Sequence, residues 1–189
     1  MQGFIERPLT YRAISRPKGV ASFSGKFFDV WVLSNSSCLK WPKTRLEIQD
    51  LSRIIVIQQA LSVLNLSPVV KEITYDFFRG EFGFIVEHAE VDSSTDMEVA
   101  EIEARLSEAA TLLFLHRLSY DMLPGVDSFV LEAHNKNNIG RIRDVSVFLD
   151  IDPKCWTDHP LLYANALKLM KDLRNITQMR RVWARIATS

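Results

Sequence analysis

Residues 79–88 read RGEFGFIVEH, and the side to which Phe82 and Phe84 point decides the fold. In a strand, successive side chains project to opposite faces. Phe82, Phe84, Val86 and His88 therefore share one face, and Glu81, Gly83, Ile85 and Glu87 share the other. Turning the aromatic face inward leaves Glu81 and Glu87 in water. The reverse buries a carboxylate, which is costly unless it is paired. The preceding stretch, VVKEITYDFF (residues 69–78), alternates in the same way, with Ile73, Tyr75 and Phe77 against Glu72, Thr74 and Asp76. The two stretches, joined by a short turn through Gly80, predict an antiparallel hairpin with Phe82 and Phe84 in the core.

Working outward, GKFFDVWVLS (25–34) is expected to be a strand with apolar residues on both faces, and SNSSCLKWPK (34–43) a loop. Thr44 and Glu47 have capping-box spacing, so a helix is expected from Thr44 to about Leu64, ended by Pro68. Its apolar side is Leu51, Ile54, Ile55 and Leu61. After the hairpin, DSSTD offers N-caps for a helix from Asp96 to Met122, with a stripe of Val99, Ile102, Leu106, Ala109 and Leu113. A second hairpin is expected from SFVLEAHN (128–135), an NKNN turn and RIRDVSVFLDI (141–151). Pro153 to Pro160 reads as a loop. The last helix begins near Leu161, with Leu162, Leu169, Leu173, Ile176 and Trp183 on one side and Lys171, Arg174, Arg181 and Arg185 opposite.

The expected fold is α+β, in the order β-α-β-β-α-β-β-α, with one mostly antiparallel sheet and helices packed on one face. Its first six elements are the order of a ferredoxin-like, split βαβ core. Residues 1–18, which contain Pro8 and Pro17, read as an irregular basic arm, and residues 19–189 as a single domain.

Arg79-Gly80-Glu81-Phe82-Gly83-Phe84-Ile85-Val86, together with Val30-Trp31-Val32, resembles the paired motifs of RNA-recognition-motif domains. That resemblance implies RNA stacked on sheet aromatics. Glu81 is inserted between the Arg-Gly pair and the aromatics, and the alternation above sends those aromatics inward. The strand GKFFDVWVLSN followed by a helix is similar to rhabdovirus matrix proteins, which implies self-assembly with membrane and ribonucleoprotein contacts. An α-β-β-α-β-β-α order is also similar to that of secretion chaperones.

The chain has 189 residues, of which 47% are hydrophobic, enough for a packed core. No apolar run reaches the roughly 18 residues that span a bilayer, and the N-terminus carries no secretory pattern. The two cysteines, Cys38 and Cys155, stand in no CxxC frame. They point to a reducing, intracellular compartment, the cytoplasm, and away from a disulfide scaffold. Glycine-rich phosphate loops and Ser-His-Asp arrangements are missing from the sequence. No cofactor and no catalytic residue is expected.

Charge is unevenly spread although the net is zero. Lys and Arg outnumber Asp and Glu eight to two in residues 1–45 and six to one in residues 168–189, and are outnumbered nine to twenty between them. Basic ends flanking an acidic middle can pair between chains. This pattern leads to the expectation of a non-enzymatic binding or assembly protein that self-associates or binds another protein. Glu98, Glu101 and Glu103 would form the acidic face, and Lys171, Arg174, Arg181 and Arg185 the basic one. Those four cations also suit RNA or an anionic surface. A third expectation is a small metal-dependent enzyme. Asp150, Asp152, Cys155 and His159 cluster before the last helix, and the Asp-Ile-Asp spacing puts both carboxylates on one face of a strand.

Overall fold

The computed structural model describes residues 9–25, 27–91, 96–116, 138–153 and 155–186. Four strands come first: β1 (Thr10–Ala13), β2 (Phe23–Ser24), β3 (Phe28–Ser34) and β4 (Ser37–Pro42). Helix α1 (Ile48–Val63) leads to the hairpin β5 (Val70–Asp76) and β6 (Glu81–Glu87). Then come α2 (Asp96–Leu112), β7 (Leu115–His116), β8 (Ile139–Ile142), β9 (Val145–Phe148), β10 (Trp156–Thr157) and α3 (Pro160–Ile186).

The main sheet has the order β1-β5-β6-β4-β3-β2. Only β1 and β5 pair in parallel; every other pair is antiparallel. The protein is therefore α+β with a mostly antiparallel six-stranded sheet and three described helices. β4 and β5 both pair with β6, so α1 joins two strands that run parallel on either side of it. The place beyond β4 is taken by β3. The later strands pair among themselves, β7 with β10 and β8 with β9.

One face of the sheet and the helices share the main core. It contains Phe28, Ile73, Tyr75, Phe82, Phe84 and Val86 from the strands, Ile54, Ile55 and Leu61 from α1, Ile102 and Leu106 from α2, and Leu162, Leu169 and Leu173 from α3. Phe84 is fully buried and meets Phe28 edge to face at 5.6 Å. The hairpin alternation thus places the aromatics of RGEFGFIVEH inside. The opposite face holds a smaller cluster of Leu39, Trp41 and Ile85, covered by Ile14 and Trp31.

Trp31 belongs to β3 itself, and Ile14 opens a segment, residues 14–22, that crosses the sheet like a strap. Ile14 N–H donates to the Tyr75 carbonyl (3.1 Å), and Arg16 N–H to Asp76 Oδ2 (2.9 Å). The Arg16 guanidinium reaches Asp29 (3.1 Å). Further along, the Trp31 indole donates to the Gly19 carbonyl (3.4 Å), and Val32 N–H to Ser22 Oγ (3.2 Å).

Several local expectations are corrected. Thr10–Ala13, inside the stretch expected to be irregular, is an edge strand. Residues 37–42, expected as loop, form β4, because Leu39 and Trp41 bury on one face while Cys38 and Lys40 bury on the other. Helix α1 starts at Ile48, and its N-cap Glu47 makes no side-chain capping bond, so the Thr44 capping box does not form. Helix α2 stops at Leu112, where the chain turns through Phe114 at φ 49° into β7. RIRDVSVFLDI is two short strands, folded back at Arg143 with φ 56°. The strand expected over 128–135 lies outside the described residues.

Candidate functional site

Helix α3 opens with Pro160, whose missing N–H costs nothing at a first helical position. Tyr163 N–H makes an early helical bond to the His159 carbonyl (2.9 Å). Leu162, Ala166, Leu169 and Leu173 bury at helical spacing, and the helix lies along α1. The opposite side is left to solvent. Tyr163, Leu167, Lys171, Arg174, Gln178 and Arg181 are all exposed and recur every three or four residues, so they form one stripe. It is apolar at its start and basic towards its end. Lys171, Arg174 and Arg181 make no ion pair with another described residue. Arg185 lies in the last turn of α3, beyond the described side chains.

On α2 the acidic residues divide. Glu98 accepts a charge-assisted bond from Arg141, which ties the helix to β8. Glu101 is exposed, and Glu103 is half-buried. At roughly 100° per residue, Glu103 points some 140–160° away from the other two, so the three acids do not share a face. The outward stripe of α2 is Glu101, Ala104, Glu108, Thr111 and Leu112, acidic at its start and apolar at its end.

Asp150, Asp152, Cys155 and His159 do not converge. Asp150 lies by Lys40, and Cys155 is buried in the main core, where burial first and the Asp152 charge second push its thiol pKa far up. The His159 ring stacks at a tilt on Phe114, with centroids 5.8 Å apart. Among the described residues, no group of three or more His, Cys, Asp or Glu could hold a metal ion. No helix among them is long and apolar enough to cross a membrane.

Two features escaped the reading of the sequence. Lys40 is buried in the middle of β4 and donates its Nζ to the Leu149 carbonyl. The second is the tip of the β5–β6 hairpin. Phe77 was expected inside with Tyr75, but it is 39% exposed while still meeting the Tyr75 ring at 4.9 Å, and Phe78 is 88% exposed. Asp76 accepts from the N–H groups of Phe78 (2.9 Å) and Arg79 (3.0 Å). Burial would raise the Asp76 pKa, but the N–H groups of Arg16, Arg79 and Phe78 outweigh it and hold the carboxyl below its ordinary value. From α3, Arg180 donates to the carbonyls of Phe77 and Phe78. The clue in the sequence was a pair of aromatics running from a strand straight into an Arg-Gly turn.

No family model, curated protein or solved structure matches this chain.

Proposed function

We propose that this chain is a non-enzymatic assembly protein whose copies associate by docking the outward stripe of α2 against that of α3. The observation that carries this reading is the α3 stripe, an exposed run from Tyr163 to Arg181 whose cations have no ion-pair partner among the described residues. The two stripes are complementary when laid antiparallel. Leu112 against Leu167 sets Glu108 beside Lys171, since each lies four residues on, roughly 6 Å along its helix. Glu101 then falls between Arg174 and Arg181. Apolar ends meet at one end of the contact and opposite charges at the other, which favours both encounter and register.

Light scattering on the eluting protein at low and high salt tests this. The expected result is a multimer at low salt that loosens as salt rises. Lys171→Glu with Arg174→Glu should shift it to monomer, and mixing that variant with Glu101→Lys, Glu108→Lys protein should restore association. A monomer at low salt and high protein concentration would remove the reading.

The same cations support a second reading, binding of RNA or another polyphosphate along α3. The sheet aromatics are no part of it, since Phe82 and Phe84 are buried. Nucleic acid that co-elutes with the wild type, and is lost from the Lys171→Glu, Arg174→Glu variant, would favour it over self-association.

A further inference from the structure

The β5–β6 turn displays a large apolar side chain on a rigid, internally satisfied backbone. Phe78 is 88% exposed, the most exposed aromatic among the described residues. Its surroundings are fixed from three directions. The Asp76 carboxylate takes the N–H groups of Phe78 and Arg79, the Asp76 carbonyl takes Gly80 N–H (2.7 Å), and the Arg180 guanidinium takes the carbonyls of Phe77 and Phe78. Gly80 sits at φ 70° directly beneath that guanidinium, where an added Cβ would lie 2.7 Å from it. Five backbone polar groups at the tip are thus bonded within the protein. A backbone bonded in this way can leave water without losing hydrogen bonds. In a medium without water each unpaired group carries a heavy penalty.

Two exposed cations stand at or beside the tip. Arg79 is exposed beside Phe78, and Arg45, also exposed, lines the same shallow cleft as Gly80, Glu81 and Thr177. Of the two nearby acids, Asp76 is 2% exposed and occupied by N–H donors, and Glu81 is partly covered and accepts from the Trp41 indole (3.3 Å). From these observations we infer that the Phe77–Gly80 turn docks on an anionic lipid bilayer. Phe78 enters the boundary between headgroups and acyl chains, and Arg79 and Arg45 meet lipid phosphates and carboxylates. The arrangement combines the two sources of peripheral membrane affinity, apolar insertion and attraction of cations to anionic headgroups. Because the turn is already ordered, little conformational freedom is lost on insertion.

Flotation of the full chain with phosphatidylcholine vesicles, with and without phosphatidylserine, tests the inference. The wild type should float with the phosphatidylserine vesicles and release as salt rises. Phe78→Ala should weaken partitioning by roughly tenfold or more, the range expected when one buried Phe side chain is lost. Phe78→Trp should retain it, and Arg79→Glu should weaken it while Arg79→Lys does not. Thermal unfolding of each variant, alike to wild type, excludes a folding defect. A direct readout is Phe78→Cys carrying an environment-sensitive fluorophore. The native Cys38 and Cys155 are buried, so the new thiol is the one labelled, and its emission should shift to the blue on vesicles. Absence of binding to phosphatidylserine vesicles overturns the inference, as does binding that Phe78→Ala leaves unchanged. If Phe78→Ala instead dissociates a multimer without altering flotation, the side chain seats in a neighbouring protein and the lipid assignment falls. The assembly reading does not depend on this turn, so Lys171→Glu, Arg174→Glu protein should still float.

Discussion

At Gly83 the sheet has no room for a side chain. An added Cβ would lie 2.5 Å from the Trp41 ring and 2.8 Å from the Lys40 carbonyl. Neither neighbour yields cheaply, since one is a fully buried indole and the other is backbone. Gly83→Ala should therefore cost about 1–3 kcal/mol, the range for overpacked cores, measured by urea unfolding. The adjacent strand holds the opposite kind of problem. Burial lowers the Lys40 pKa, with the charges of Asp150 and Cys38 opposing. The folded chain then releases that proton at lower pH than the unfolded chain does. Between the lowered pKa and the ordinary lysine range the unfolded state holds more protons, so stability rises with pH there. Lys40→Met should flatten that rise, and melts collected from neutral pH up to about pH 10, near the ordinary lysine pKa, will show it. Neither residue announced itself in the sequence. A lysine among Ser, Asn and Pro reads as surface, and the indole that pins Gly83 stands on another strand.

At the scale of elements, what could be read was what had local periodicity. The β5–β6 hairpin was legible because Ile73, Tyr75, Phe82 and Phe84 alternate with polar residues or glycine. Much of the solvent stripe of α3 was legible because Lys171, Arg174 and Arg181 fall at helical spacing. The elements that were missed lack such signals. β4 begins in serines and ends at Pro42, and both of its faces bury. The end of α2 lies in the apolar run ATLLFLHRL, which contains no Gly or Pro; there Phe114 adopts a left-handed φ of 49°. The β8–β9 turn is similar, with Arg143 at φ 56° where hairpins favour Asn or Gly. Replacing it removes the strain of an L side chain at a small cost in chain entropy. Arg143→Gly should gain roughly 0.5 kcal/mol, visible as a higher urea midpoint with an unchanged slope.

At the scale of the whole molecule, the segregated charges of the sequence become two surface stripes of opposite sign. The acidic stripe is narrower than the sequence suggested, because Glu98 is engaged by Arg141 and Glu103 points elsewhere. Glu108, which sequence reasoning did not single out, takes their place beside Glu101. Only the helix geometry reveals that exchange, since charge counts along a chain carry no information about face.

The strap of residues 14–22 bears on the order of events during synthesis. It ties β1, which pairs with β5 some sixty residues later, to β2 on the far edge of the sheet. Its anchors at Tyr75 and Asp76 leave the ribosome only after β3, β4 and α1 have been made. A segment translated before its partners is therefore placed after them. Until then, Leu39 and Trp41 lack the cover of Ile14, and the strap stays unattached.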